Sequence, residues 1–458
     1  MKHYSGIPKW FLFAAFIASV LPSSAQELSL LMASSDTHIN PSSTGQLSFV
    51  VDNLSFFKDN EFEGEQAKGY SLPGFWVQPK LTYQPLSNVR LEAGFHALIF
   101  DGANKYPCYA YHDIGRWKGN QYQSGAHLLP FFRAQAQLNR VTFVLGDIFG
   151  GANHRVMEPL MNPEMNLTQD PEMGFQLLVD LPRYQLDAWV NWQSYIFEED
   201  THQEAFTIGL HQRISLNSQL STLNSPLSTL NSPPSTLNSQ LSTLNSPLST
   251  LHSPLSTLNS PLSTLDSPLP ALNWYLSLDV LIQHRGGEQD ITDMGVQTIT
   301  NGGVGVGLLW NARARLLQSL NAEVALLGCW QQAGKLWPFD KGTAASAMLS
   351  AQLRGDFRVF GGLFYARDFV SLYGAPFYST LSQKIPGARF KSMLTPHMGV
   401  EWCHTFSKSY ILGLKADAYP LFAGQLKHPD GTVASATFAN NFSFGVYFRC
   451  NPSFLLKE

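Results

Sequence analysis

The chain is 458 residues long and carries 30 basic against 34 acidic side chains, which excludes the basic face that nucleic-acid binding needs. Charged residues make up only 14% of it and aromatic residues 12%. Soluble domains carry roughly 25% charge, so this composition suits a protein with apolar outer walls.

The first element is a leader. Lys2 and Lys9 flank a basic start, Trp10 to Leu21 is an unbroken apolar run, and Ser23, Ser24 and Ala25 supply small residues at a cleavage position. That order is a secretory signal over residues 1–25. The run is shorter than the roughly 20 apolar residues a spanning helix needs. With Lys2 and Lys9 gone, 28 basic residues face 34 acidic ones. No later run reaches roughly 18 apolar residues, so the exported chain is either secreted or crosses a membrane by strands.

From residue 26 onward, apolar and polar residues alternate with period two, the mark of strands. Val89, Leu91, Ala93, Phe95, Ala97 and Ile99 lie opposite Arg90, Glu92 and His96. Trp310, Ala312, Ala314 and Leu316 lie opposite Asn311, Arg313 and Arg315, and Leu412, Leu414, Ala416 and Ala418 opposite Lys415, Asp417 and Tyr419. Strands are expected near 46–57, 73–84, 88–100, 127–138, 140–150, 172–181, 185–197 and 204–216, the first half of a sheet over 26–216. A second half over 273–449 has them near 273–286, 302–317, 321–332, 343–354, 357–369, 389–406, 409–421 and 434–449. Short turns alternate with long connections, and the count comes to about sixteen, an even number. Both features fit an all-β, transmembrane antiparallel β-barrel with short periplasmic turns and long outer loops.

Between the halves, residues 217–272 are eight seven-residue units such as NSPLSTL. Leu at positions four and seven imitates a coiled-coil seam. Six of the eight units contain Pro, which costs about 3 kcal/mol inside a helix, and Ser, Thr and Asn fill most other positions. The segment is therefore a low-complexity linker. By strand parity it replaces a short turn on the periplasmic side. Phe442, Phe444, Val446 and Phe448 end the last strand, and residues 450–458 follow as a C-terminal extension.

Leader, alternating strands, alternating loop lengths and the aromatic last strand together resemble porin-like outer-membrane barrels of Gram-negative bacteria. The resemblance covers nearly all of the mature chain. It departs at the very end, where such barrels usually stop on Phe. It implies an outer-membrane channel for small hydrophilic solutes, with lipid around it, an option of homotrimer formation, no catalysis and no cofactor.

In that channel the lumen-facing set is Arg90, Glu92, His96, Arg133, Gln135, Asp187, Asn191, Asp279, Arg285, Arg313, Arg315, Glu323, Arg354, Arg358, Glu401, Lys415 and Asp417. Such charges select solutes or brace the wall by pairing across strands. The 151–171 connection carries Glu158, Glu164 and Asp170, which would form an acidic constriction if the loop folds inward; otherwise it is an external loop. Gly302 to Gly307 sits in a strand pattern and serves close packing or a bend rather than phosphate binding. Cys108, Cys329, Cys403 and Cys450 match no zinc or redox spacing, and their pairing is not fixed by sequence. Two other functions stay open. One is a scaffold or assembly factor tethered through the repeat. The other is a barrel enzyme acting on lipid or surface glycan, with His202 among acids in an outer loop as its base. No GxSxG or HExxH motif is present.

Overall fold

The computed structural model describes residues 31–33, 37–101, 125–194, 203–216, 272–287, 295–312, 314–407, 409–435 and 437–457. The leader over 1–25, the repeat up to residue 271, the His202 loop, Arg313 and Cys108 lie outside the described residues.

Sixteen strands form the wall. The first eight are β1 (Leu47–Phe62), β2 (Tyr70–Leu86), β3 (Val89–Phe100), β4 (Gly125–Leu138), β5 (Val141–Asp147), β6 (Met173–Leu181), β7 (Tyr184–Ser194) and β8 (Ala205–Ser215). The next five are β9 (Leu272–Arg285), β10 (Gln297–Asn311), β11 (Leu317–Ala333), β12 (Lys341–Leu353) and β13 (Phe357–Arg367). The last three are β14 (Met393–Ser407), β15 (Tyr410–Ala418, extended by Leu421–Ala423) and β16 (Asn441–Cys450, flanked by Thr437–Ala439 and Ser453–Lys457). Each pairs antiparallel with the next. The ring closes where β1 meets β16, from Asn53↔Cys450 to Phe62↔Asn441. Closure removes every sheet edge from lipid, which a spanning sheet requires. The expected antiparallel barrel of about sixteen strands is the observed fold.

Alternation decides which side chain faces which way. Even-numbered β3 residues Arg90, Glu92, His96 and Leu98 are buried inside, while Phe95 and Ile99 are exposed on the outer wall. Leu128, Leu326, Phe442 and Phe444 are likewise exposed. So much exposed apolar surface is stable only against lipid.

β8 and β9 pair directly, from Ala205↔Arg285 to Ser215↔Tyr275. The chain between them therefore leaves and re-enters the wall at the short-turn end. The segment after Cys450 is not an extension beyond the wall: Ser453–Lys457 pairs with the start of β1, and the Val51 N–H donates to the Pro452 carbonyl. β10 ends at Asn311, earlier than the alternation implies. Its last pairs are Trp310↔Leu272 with β9 and Asn311↔Ser319 with β11.

Two long connections turn inward rather than out. Residues 148–172 form two short 3-10 turns, Gly151–His154 and Pro163–Leu167, inside the barrel. Residues 368–392 join them, burying Phe369, Val370, Tyr373, Phe377 and Tyr378 against wall residues such as Phe364 and Tyr419. This packing corrects the expectation of long outer loops for the second segment, which lies between the strands expected near 357–369 and 389–406. Its apolar run from Phe369 to Tyr378 is too hydrophobic to stay in water.

Candidate functional site

Most of the lumen-facing set points inward as its alternation implies, and most of those charges are paired. Glu92 takes Lys80 at 3.2 Å and Arg133 at 3.1 Å. Arg90 donates to Gln135 at 2.8 Å. Arg358 pairs with Glu401 at 2.9 Å and Lys415 with Asp417 at 3.3 Å. Asp279 accepts from His211 at 2.6 Å and from the Met157 N–H at 2.8 Å. Asn191 accepts from the Met173 N–H at 3.2 Å. His96 contacts Gln78 at 3.0 Å, and Arg285 is buried at the long-loop end of β9. Two members are corrected. Arg315 and Arg354 are exposed in short turns after β10 and β12, because both strands stop before reaching them.

The 151–171 loop folds inward, but its acids do not form an open ring. Glu164 is buried against Lys58 at 2.7 Å and Lys415 at 3.6 Å, and Asp170 pairs with His127 at 2.8 Å. Glu158 lies against the cavity between loop and wall. Lys58 also donates to the Ser443 hydroxyl at 2.9 Å, which donates in turn to Asp417. Asp417 holds the His397 ring at 3.0 Å, and its other nitrogen meets the Tyr378 hydroxyl at 3.1 Å. Burial pushes the Tyr378 phenol well above its usual range. This chain of contacts ties both inward loops to β1, β14, β15 and β16. Every member is buried, and the network braces the lumen.

His154 is a second brace. Its ring stacks on Trp189 at 3.5 Å and contacts Asp187 at 2.8 Å and Glu172 at 3.3 Å. Burial opposes its charge, but the two carboxylates outweigh that and lift its pKa to about 9.

The outer wall carries a different arrangement. His284 and Thr298 face each other across β9 and β10, with Nδ1 2.9 Å from Oγ1. The burial alternation puts both on the lipid side, one residue from the long-loop ends of their strands. Trp192, Phe206 and His284 form a ring ladder there, with centroids 5.3 and 5.0 Å apart. Gln332 donates to the Thr300 hydroxyl at 2.5 Å on the same face. Beyond them stand the exposed cations Lys335, Lys341 and Arg367, with Arg367 opposite Thr343. Sequence reading missed this group. Its signal was polar residues, His284, Thr298 and Thr300, standing where alternation calls for lipid-facing ones.

A family model described as Lipid A 3'-O-deacylase-type matches residues 39–232 and 257–458. The chain belongs to this family. Family membership overturns the expectation of a barrel without catalysis, because the family is named for an enzyme activity. No curated protein matches. Solved structures similar in architecture include OccD1 (OprD), at 8% identity and TM-score 0.42, covering 92% of this chain and 100% of that one. OprD from Pseudomonas aeruginosa, at 8% identity and TM-score 0.41, covers 89% and 95%. The trimer form of OmpT from Vibrio cholerae, at 11% identity and TM-score 0.40, covers 89% and 99%. At such identities the likeness concerns the barrel alone. The closed barrel and its apolar outer wall fit an outer-membrane location.

Proposed function

We propose that this protein is an outer-membrane ester hydrolase that releases an acyl chain from lipid A. Family membership supports the reaction class. The observation that carries the location is the His284–Thr298 pair, an imidazole and a hydroxyl in hydrogen-bond contact on the lipid face. The long-loop end of such barrels faces the cell exterior, and a lipid ester lies at the boundary between acyl chains and headgroup.

In this reading the Nε2–H tautomer of His284 accepts the Thr298 proton at Nδ1 as the hydroxyl oxygen attacks the ester carbonyl. The proton passes to the departing sugar oxygen, leaving an acyl-threonine. Water, deprotonated by the same nitrogen, then cleaves that ester, giving a free fatty acid and restoring Thr298. Lys335, Lys341 and Arg367 offer cations to the phosphates of such a lipid. The two inward loops occupy the lumen, so the lipid reaches the site from the side and not through the barrel.

The test is mass spectrometry of lipid A incubated with the folded protein in mixed micelles. Loss of one acyl chain with the wild type, abolished by His284→Ala, is expected. No acyl loss from correctly folded wild type overturns the reaction. Full activity in His284→Ala overturns the site.

A further inference from the structure

Within the barrel, charged residues mostly meet opposite charges, as Lys58–Glu164 and Arg449–Asp52 do. Arg213 and Glu323 depart from that pattern. They line one cavity of about 450 Å³ between the 151–164 stretch of the inward loop and the wall. Arg213 lies over the Tyr275 ring, its guanidinium carbon 3.6 Å from the centroid. The Tyr275 hydroxyl donates to Glu323 at 2.8 Å, and Ser277 donates to the other Glu323 oxygen at 3.0 Å. Tyr275 thus holds a cation on its face and an anion at its tip, and among the described residues neither has an ion-pair partner.

The neighbouring strand is shaped for this. A Cβ at Gly307 would fall 1.9 Å from the Tyr275 ring, and one at Gly305 would fall 2.4 Å from the Ser277 hydroxyl. The glycine run of β10 therefore clears the space in which Tyr275 and Ser277 stand. Holding two opposite charges apart in a half-buried cavity forgoes their attraction and costs desolvation of each. A ligand that answers both charges recovers that cost. His211 stands on the same wall, its Nδ1 taken by Asp279, so Nε2 is its remaining polar atom. Arg213 lies two residues from the end of β8 and Tyr275 three from the start of β9, so the cavity sits toward the short-turn, periplasmic end.

We propose that this cavity binds a small zwitterionic solute, its anionic group on Arg213 and its ammonium group on Glu323. The site is separate from the outer-wall pair and does not depend on the hydrolase reading.

The test is titration calorimetry on the folded full-length protein in detergent. The probes are the ω-amino acids from β-alanine to 6-aminohexanoate, which vary the spacing of the two charges, with butyrate and butylamine as singly charged controls. One member should bind at least tenfold more tightly than either control. Arg213→Gln should erase its advantage over butylamine, and Glu323→Gln its advantage over butyrate. Heat-modifiable gel mobility verifies that each variant is folded. No preference for any zwitterion, or unchanged preference in both folded variants, overturns the proposal.

Discussion

Arg449 near the end of β16 grips Asp52 of β1 with two hydrogen bonds, Nε to Oδ1 at 3.2 Å and a terminal nitrogen to Oδ2 at 2.9 Å. The same guanidinium donates to the backbone carbonyls of Leu31 and Ala33. One buried side chain therefore joins the last strand, the first strand and the segment that precedes the barrel. Replacing it with Ala leaves Asp52 as a buried, unpaired carboxylate, at a cost of about 3–5 kcal/mol. Arg449→Ala should lower the temperature at which the barrel loses its folded gel mobility, and limited proteolysis should then cut near residues 31–40. Arg449→Lys should restore little, since a single ammonium cannot reproduce the two-pronged contact.

The His154 brace makes the inward loop sensitive to alkali. Folded, this imidazole stays charged up to about pH 9, whereas its ordinary value is 6.5. The stabilisation is therefore complete below 6.5 and fades as pH rises through about 9. Hydrogen exchange of residues 148–172 should quicken between about pH 6.5 and 9 by more than the intrinsic rate accounts for. In His154→Phe, which keeps the stacking on Trp189, the excess should vanish.

Leu326 tests the outer wall. It sits near the middle of β11, is 64% exposed, and belongs to the face that alternation turns to lipid. An arginine there should cost roughly 2–4 kcal/mol in a bilayer. Leu326→Arg should lower folding yield in vesicles, whereas Leu327→Ala on the inner face should loosen packing without blocking insertion.

At the outer-wall pair, Thr298→Ala should reduce acyl release by about 100-fold or more if the hydroxyl is the nucleophile, and Thr298→Ser should recover most of it. Neutralising Lys341 and Arg367 together should raise KM and leave kcat nearly unchanged, since those cations would meet phosphates equally in ground and transition states.

The wall was legible because lipid and lumen enforce a period of two. Val89 to Ile99 reads off its own facing, and β3 runs over Val89–Phe100. Arg315 misled because alternation continues past Asn311 while β10 does not: its last pair is Asn311↔Ser319, and Arg315 stands in the turn that follows. Lys58, His154 and Arg449 were missed for a related reason. Each is defined by what a distant segment places beside it, and period two is silent on that. The inward turn of residues 368–392 had a visible cause in Phe369, Val370, Phe377 and Tyr378, whose combined apolar area has no place in an aqueous loop.

The direct pairing of Ser215 with Tyr275 has an evolutionary consequence. The β8–β9 register runs from Ala205↔Arg285 to Ser215↔Tyr275, between residues that lie outside the 217–272 repeat. Lengthening such a connector twofold costs only about 0.6 kcal/mol of closure entropy. Unit number is thus nearly invisible to folding, and slippage during replication adds or deletes heptads without penalty to the barrel. Relatives should differ freely in copy number here, while the paired ends on either side stay fixed in place.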